Sequence, residues 1–159
     1  MKKFLSSVSI FVFLSLNANA AVTPTPVFAQ GPKPYVQQIL PAGTTATAIL
    51  VTAGSNGTII KGIECTNTDT AAASVVQFNL ARSAVNYLMA SVNVPLSSGN
   101  TSAAAAVNMM SPTNWPGLPV DAAGNPFINL ASGDTLLMNV TVTVNSGKVV
   151  SCIAIGADY

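Results

Sequence analysis

Apolar side chains recur along this chain in short alternating runs. Val76, Phe78 and Leu80 alternate with Gln77 and Asn79, the period-two pattern of a strand with one face buried. Leu88, Ala90, Val92 and Val94 repeat it and stop at Pro95. Leu136, Met138, Val140, Val142 and Val144 make the longest inward row, opposed by Asn139, Thr141 and Thr143. Nearer the N-terminus, Thr45 to Thr52 is rich in Thr, Ile and Val, and a second strand is expected from Thr58 to about Thr66. Its alternation slips around Gly62, where a β-bulge would put Ile60, Ile63 and Cys65 on one face. Ser55-Asn56-Gly57 predicts a hairpin with a type I′ turn, because Asn-Gly tolerates the positive φ such a turn requires. Ser146-Gly147 predicts a second hairpin that joins the long row to a last strand, Lys148 to Ile155.

Two stretches interrupt this pattern. Asn100 or Thr101 is placed to cap a short helix through Ala103 to Met110, stopped by Pro112, and an alanine-rich loop is the competing reading. Residues 111–126 carry four prolines and predict an ordered excursion, with Trp115 pinning it to the body. Many short strands between turn signals predict an all-β fold, an antiparallel β-sandwich of jelly-roll-like kind. At most one short helix near 101–110 is expected beside it.

The N-terminus reads differently. Lys2 and Lys3 precede an apolar run from Phe4 to Leu16, followed by Asn17-Ala18-Asn19-Ala20. A basic start, a short apolar core and an A-x-A ending predict a secretory signal peptide over residues 1–20, cleaved after Ala20. The run is shorter than the roughly 20 apolar residues a membrane anchor needs. Residues 21–34 are proline-rich and predict an extended arm or linker. The folded domain is expected over 35–159, exported to the periplasm, cell surface or medium, with no membrane association after cleavage.

Charge narrows the function classes. Only 7% of residues are charged. Beyond Ala20 the chain carries Lys33, Lys61, Arg82 and Lys148 against Glu64, Asp69, Asp121, Asp134 and Asp158. A basic footprint for nucleic acid is missing, as is a polybasic patch for anionic lipid. A surface of Ser, Thr, Asn and Ala has little charge repulsion to keep copies apart, which favours association. Self-association, or contact with another surface or virion protein, is the partnership expected.

The chain holds no histidine, so Ser-His-Asp and Cys-His catalysis and His-based metal sites are excluded. Glu64 is the single glutamate, and no phosphate-cradling glycine motif stands between a strand and a helix. The expectation is a protein that is not an enzyme and uses no cofactor. Asp121-Ala122-Ala123-Gly124-Asn125 has oxygen ligands around a glycine but lacks the alternating ligands of a calcium loop, so a simple turn is the better reading. Trp115, Tyr35, Tyr87 and Tyr159 are candidates for stacking on sugars, weighed against ordinary packing. Cys65 and Cys152, in an exported chain, predict one disulfide, with two buried free thiols as the alternative.

Several segments share a resemblance: Gly57-Thr58-Ile59-Ile60-Lys61-Gly62-Ile63, Thr66-Asn67-Thr68-Asp69-Thr70 and Val92-Asn93-Val94-Pro95. Asn114 to Pro126, Ser132-Gly133-Asp134-Thr135-Leu136 and the closing Gly156-Ala157-Asp158-Tyr159 continue it. In this order they resemble a family of small β-sandwich, virion-associated structural or decoration proteins of tailed bacteriophages and prophages. The resemblance implies a structural role and no catalytic residues. The export signal and the cysteine pair depart from that family, and favour the same fold used outside the inner membrane as a surface or fibre component. An extracellular ligand-binding module, an adhesin or glycan binder, is the alternative.

Overall fold

The computed structural model describes residues 31–39, 47–142 and 144–159. The expected signal peptide and most of the expected arm lie outside these residues. Among the described residues there is no helix, and nine strands form two antiparallel sheets. The first sheet, sheet A, contains β1 (Lys33–Ile39), β9 (Val150–Asp158), β3 (Thr58–Asn67) and, sharing the position beyond β3, β6 (Val107–Asn108) and β7 (Ile128–Leu130). Sheet B runs β2 (Ala48–Thr52), β8 (Thr135–Val140), β4 (Ser74–Arg82), β5 (Val85–Val94).

The pairing is nested. β1 pairs with β9, β2 with β8, β3 with β6 and β7, and β4 with β5. The chain is therefore one long hairpin rolled so that alternate pairs fall in opposite sheets. That is the two-Greek-key order of a jelly roll, and the expected fold class is the one observed.

Packing follows from the alternation. Val76 and Phe78 of β4, Leu136 and Met138 of β8, and Val92 and Val94 of β5 are buried from one side. Ile60, Ile63 and Cys65 of β3 and Val150, Cys152 and Ala154 of β9 meet them from the other. The expected bulge is present: the β3–β9 register shifts between Ile60 and Gly62. Cys65 and Cys152 occupy directly opposed positions on β3 and β9, form a disulfide with Cα atoms 4.1 Å apart, and are fully buried.

Both expected hairpins are corrected. Residues 54–57 do turn, with Gly57 N–H donating to Gly54 O at 3.0 Å. Yet Ser55 and Asn56 keep ordinary φ while Gly57 takes +103°, and the strands on either side belong to different sheets. Asn145–Lys148 also turns, but β8 lies in sheet B and β9 in sheet A. Both turns round the corner between sheets, because each flanking strand finds its ladder with a strand distant in sequence. The adjacent pair that does form a hairpin is β4–β5, across Ser83 and Ala84.

Two inward rows also stop early. Leu88 is 60% exposed, because the β4–β5 register shifts at Met89 and turns the residues before it the other way. β8 ends at Val140, so Val142 is exposed while Val144 is buried again. The helix near 101–110 does not form. Residues 101–104 close a tight turn, in which Thr101 bridges Ala104, and the segment returns to β3 as β6. The loop reading of that tract is the correct one.

Candidate functional site

The position beside β3 is filled in two pieces. β6 covers Glu64 and Cys65, β7 covers Thr58 to Ile60, and Lys61 to Gly62 between them has no strand partner on that side among the described residues. The chain leaves the sheet after Asn108 and returns at Ile128. Met109 N–H still donates to Ile63 O at 2.8 Å, and Asn108 Oδ1 accepts from Met110 N–H at 2.9 Å, which sets the direction of departure. Trp115 then sinks into the core and stacks on Phe78, ring centroids 5.5 Å apart. The excursion is thus ordered and pinned by Trp115 as the sequence implies.

Its far end forms a tight loop closed by the Val120–Pro126 bridge. The Asp121 carboxylate accepts from the N–H groups of Ala123 at 3.0 Å and Asn125 at 2.9 Å. This carboxylate organises its own turn, so the turn reading of 121–125 holds. It also receives Lys61 Nζ at 3.1 Å. The Asn125 N–H, followed by Lys61, holds the Asp121 pKa down at about 2. Lys61 in turn sits 5.4 Å over the Phe127 ring, a cation–π contact.

Sheet edge and loop together enclose an open cleft of about 590 Å³ over Gly62 and Ile63, walled by Lys61, Glu64, Asn108, Asp121, Ile153 and Ile155. The Glu64 carboxylate makes no hydrogen bond or ion pair with another described residue. The lining has no hydroxyl, thiol or imidazole. Such a surface can bind through one free carboxylate, one shared ammonium and aliphatic contact.

The cleft opens onto a broader apolar face. Outward positions of β1 and β9 carry Val36, Ile153 and Ile155, exposed by 59%, 44% and 53%. The outer face of sheet B exposes Ile49 and Leu88 on its two edge strands, with amides between them. There Asn79 donates to Asn139 at 3.0 Å and Asn139 to Gln77 at 3.1 Å, an amide chain that is itself half-buried. In the sequence Ile153 and Ile155 do not stand out as surface residues, because Val150–Ile155 reads as an almost continuous apolar run. The signal that separates them is their alternation with Cys152 and Ala154.

The four aromatic candidates do not converge. Trp115 is buried. Tyr35 donates its hydroxyl to Asp158 at 3.0 Å, and Tyr159 donates to Asn129 at 3.2 Å. Tyr87 is exposed on β5, in the other sheet. Asp158 gathers Lys33, Tyr35 and Thr58, and its pKa is held at about 2 by Lys33 first and Thr58 second. This cluster ties β1, β9 and β3 together at one end of sheet A.

No family model and no curated protein matches the chain. Among solved structures, the chain is similar to a pentameric capsid protein isolated from metagenomic phage sequences. The two are 13% identical with a TM-score of 0.36, over 99% of this chain and 79% of that one.

Proposed function

We propose that this chain is a non-enzymatic, exported structural protein that assembles through its surface, as a surface or fibre component outside the inner membrane. The observation that carries the reading is the outer face of sheet A, where Val36, Ile153 and Ile155 meet solvent side by side. Large aliphatic side chains clustered on an outer sheet face mark an interaction surface, and here almost no charge stands among them to resist association. The aspartates support the same reading. Asp69 holds the Ala71 and Ala72 N–H groups, Asp121 its own turn, Asp134 Arg82, and Asp158 Lys33. Each serves the fold. A buried disulfide suits an oxidising compartment. The resemblance of the strand and turn segments to virion-associated β-sandwich proteins points to a structural role as well.

The alternative, a ligand-binding module, draws on the cleft over Gly62 and its free Glu64. Light scattering on residues 21–159, with negative-stain imaging, separates the two. Concentration-dependent growth into a homogeneous oligomer, particle or fibre is the expected result. A monomer at every concentration, retained on a glycan array, would overturn assembly in favour of binding.

A further inference from the structure

Register places the exposed side chains of sheet A in two neighbouring rows. Val36 lies opposite Ile153, and Ile153 opposite Glu64, giving a row Val36–Ile153–Glu64. Pro34 lies opposite Ile155, and Ile155 opposite Gly62, giving a row Pro34–Ile155–Gly62. The bulge between Ile60 and Gly62 sets Lys61 beside the second row, exposed on the same outer side as Glu64. Each row therefore has two apolar members and, at its β3 end, one member of an opposite-charge pair.

Resting on the assembly reading above, we propose that this face binds the same face of a second copy of the chain. The two-fold axis lies in the interface, parallel to the rows and midway between them. That operation exchanges the rows. Ile153 of one copy then packs on Ile155 of the other, Val36 on Pro34, and Glu64 points at the position of Gly62 and Lys61. A contact of this kind uses one patch on both partners and closes as a dimer.

Three features fit it. Gly62 has open space where a Cβ would stand, so Glu64 of the second copy meets no side chain at that position. Lys61 has three N–H donors and one carboxylate partner, Asp121, which leaves it able to receive Glu64 as well. The Glu64 carboxylate has no partner among the described residues, whereas those of the four aspartates are all engaged. The outer face of sheet B also exposes Ile49 and Leu88, but its strands carry no carboxylate, so it offers no such charge match.

The test is charge exchange, read by sedimentation of the oxidised chain over residues 21–159. Glu64→Lys alone sets lysine against lysine across the axis and should weaken dimerisation at least about tenfold, ~1.4 kcal/mol at room temperature. Adding Lys61→Glu to Glu64→Lys restores opposite charges in the reversed sense, and the dimer should return. A residue needed only for folding would not be rescued in this way. Ile153→Thr with Ile155→Thr keeps good strand formers on the surface and should also weaken the dimer. Trp115 fluorescence confirms in each variant that the core is intact. If the wild type associates and these variants associate equally well, this interface is wrong while assembly stands. If the wild type stays monomeric throughout, the assembly reading falls with it.

Discussion

Trp115 lies nearly flat against Phe78, the planes 22° apart, so a residue of the excursion forms part of the core of the sandwich. The loop that walls the cleft is therefore anchored from beneath. Replacing a buried aromatic by alanine typically costs 3–5 kcal/mol. Trp115→Ala should lower stability by about that much and loosen residues 109–127 before the strands melt. Hydrogen exchange on the variant checks it, with early loss of protection expected at Met109, whose N–H bonds Ile63.

The disulfide closes a loop across 87 positions. In the chain-entropy model a loop of that size contributes roughly 4–5 kcal/mol by restricting the unfolded chain. Cys65→Ala with Cys152→Ala should lose about this amount. Urea unfolding of the double variant measures it, and a loss under about 1 kcal/mol would show that the unfolded chain is already restricted there.

Ser83 and Ala84 turn the β4–β5 hairpin with φ of +50° and +63°. Both positions demand the left-handed region, which costs a residue with a Cβ about 1–2 kcal/mol. Arg82 steadies the base of the hairpin by gripping the buried Asp134 carboxylate at 2.7 and 2.5 Å. Ser83→Asn with Ala84→Gly supplies the residues a type I′ turn prefers. The exchange should raise stability by roughly 1–2 kcal/mol, seen as a melting temperature higher by several degrees.

Asp121 and Asp158 both titrate at about 2 in the folded protein, below the ~3.9 of an unfolded aspartate. A depressed folded pKa contributes stability that is present above the unfolded value and is lost as pH falls through the folded one. The melting temperature should thus be level above about pH 5 and fall between about pH 4 and pH 2. Asp158→Asn, which removes the Lys33 ion pair and one of the two groups, should flatten that fall.

Sequence pattern carried the fold a long way, and failed at identifiable places. Strand positions in β3, β4 and the second half of β5 were legible because Ile60, Ile63, Val76, Phe78, Val92 and Val94 alternate with polar neighbours. The slip at Gly62 was legible for the same reason. The disulfide followed from two cysteines in a chain with an export-like N-terminus. Strand partners were not legible. Asn56-Gly57 and Ser146-Gly147 report only that the chain reverses, and a reversal at a sandwich corner uses the same residues as a hairpin. The real hairpin hid at Ser83-Ala84, residues that ordinarily avoid positive φ. Leu88 was misplaced because a bulge at Met89 leaves no composition signal. At the candidate site, the excursion and Trp115 were foreseeable. The cleft was not, since it arises where β6 and β7 fail to meet beside Lys61.

Nesting the first strand against the last has a consequence for the order of events in folding. β9 lies between β1 and β3, so the centre of sheet A is missing until residues 150–158 are available. Pairings this distant in sequence are slow to form. A chain emerging from its N-terminus can close sheet B only once β8 is out, and the β1–β9 and β3–β9 ladders only once β9 follows. Sheet A therefore stays split, with β1 apart from β3, for as long as the final strand is withheld. Closure of that sheet and of the Cys65–Cys152 bond then comes last, in whatever redox surroundings the final residues reach.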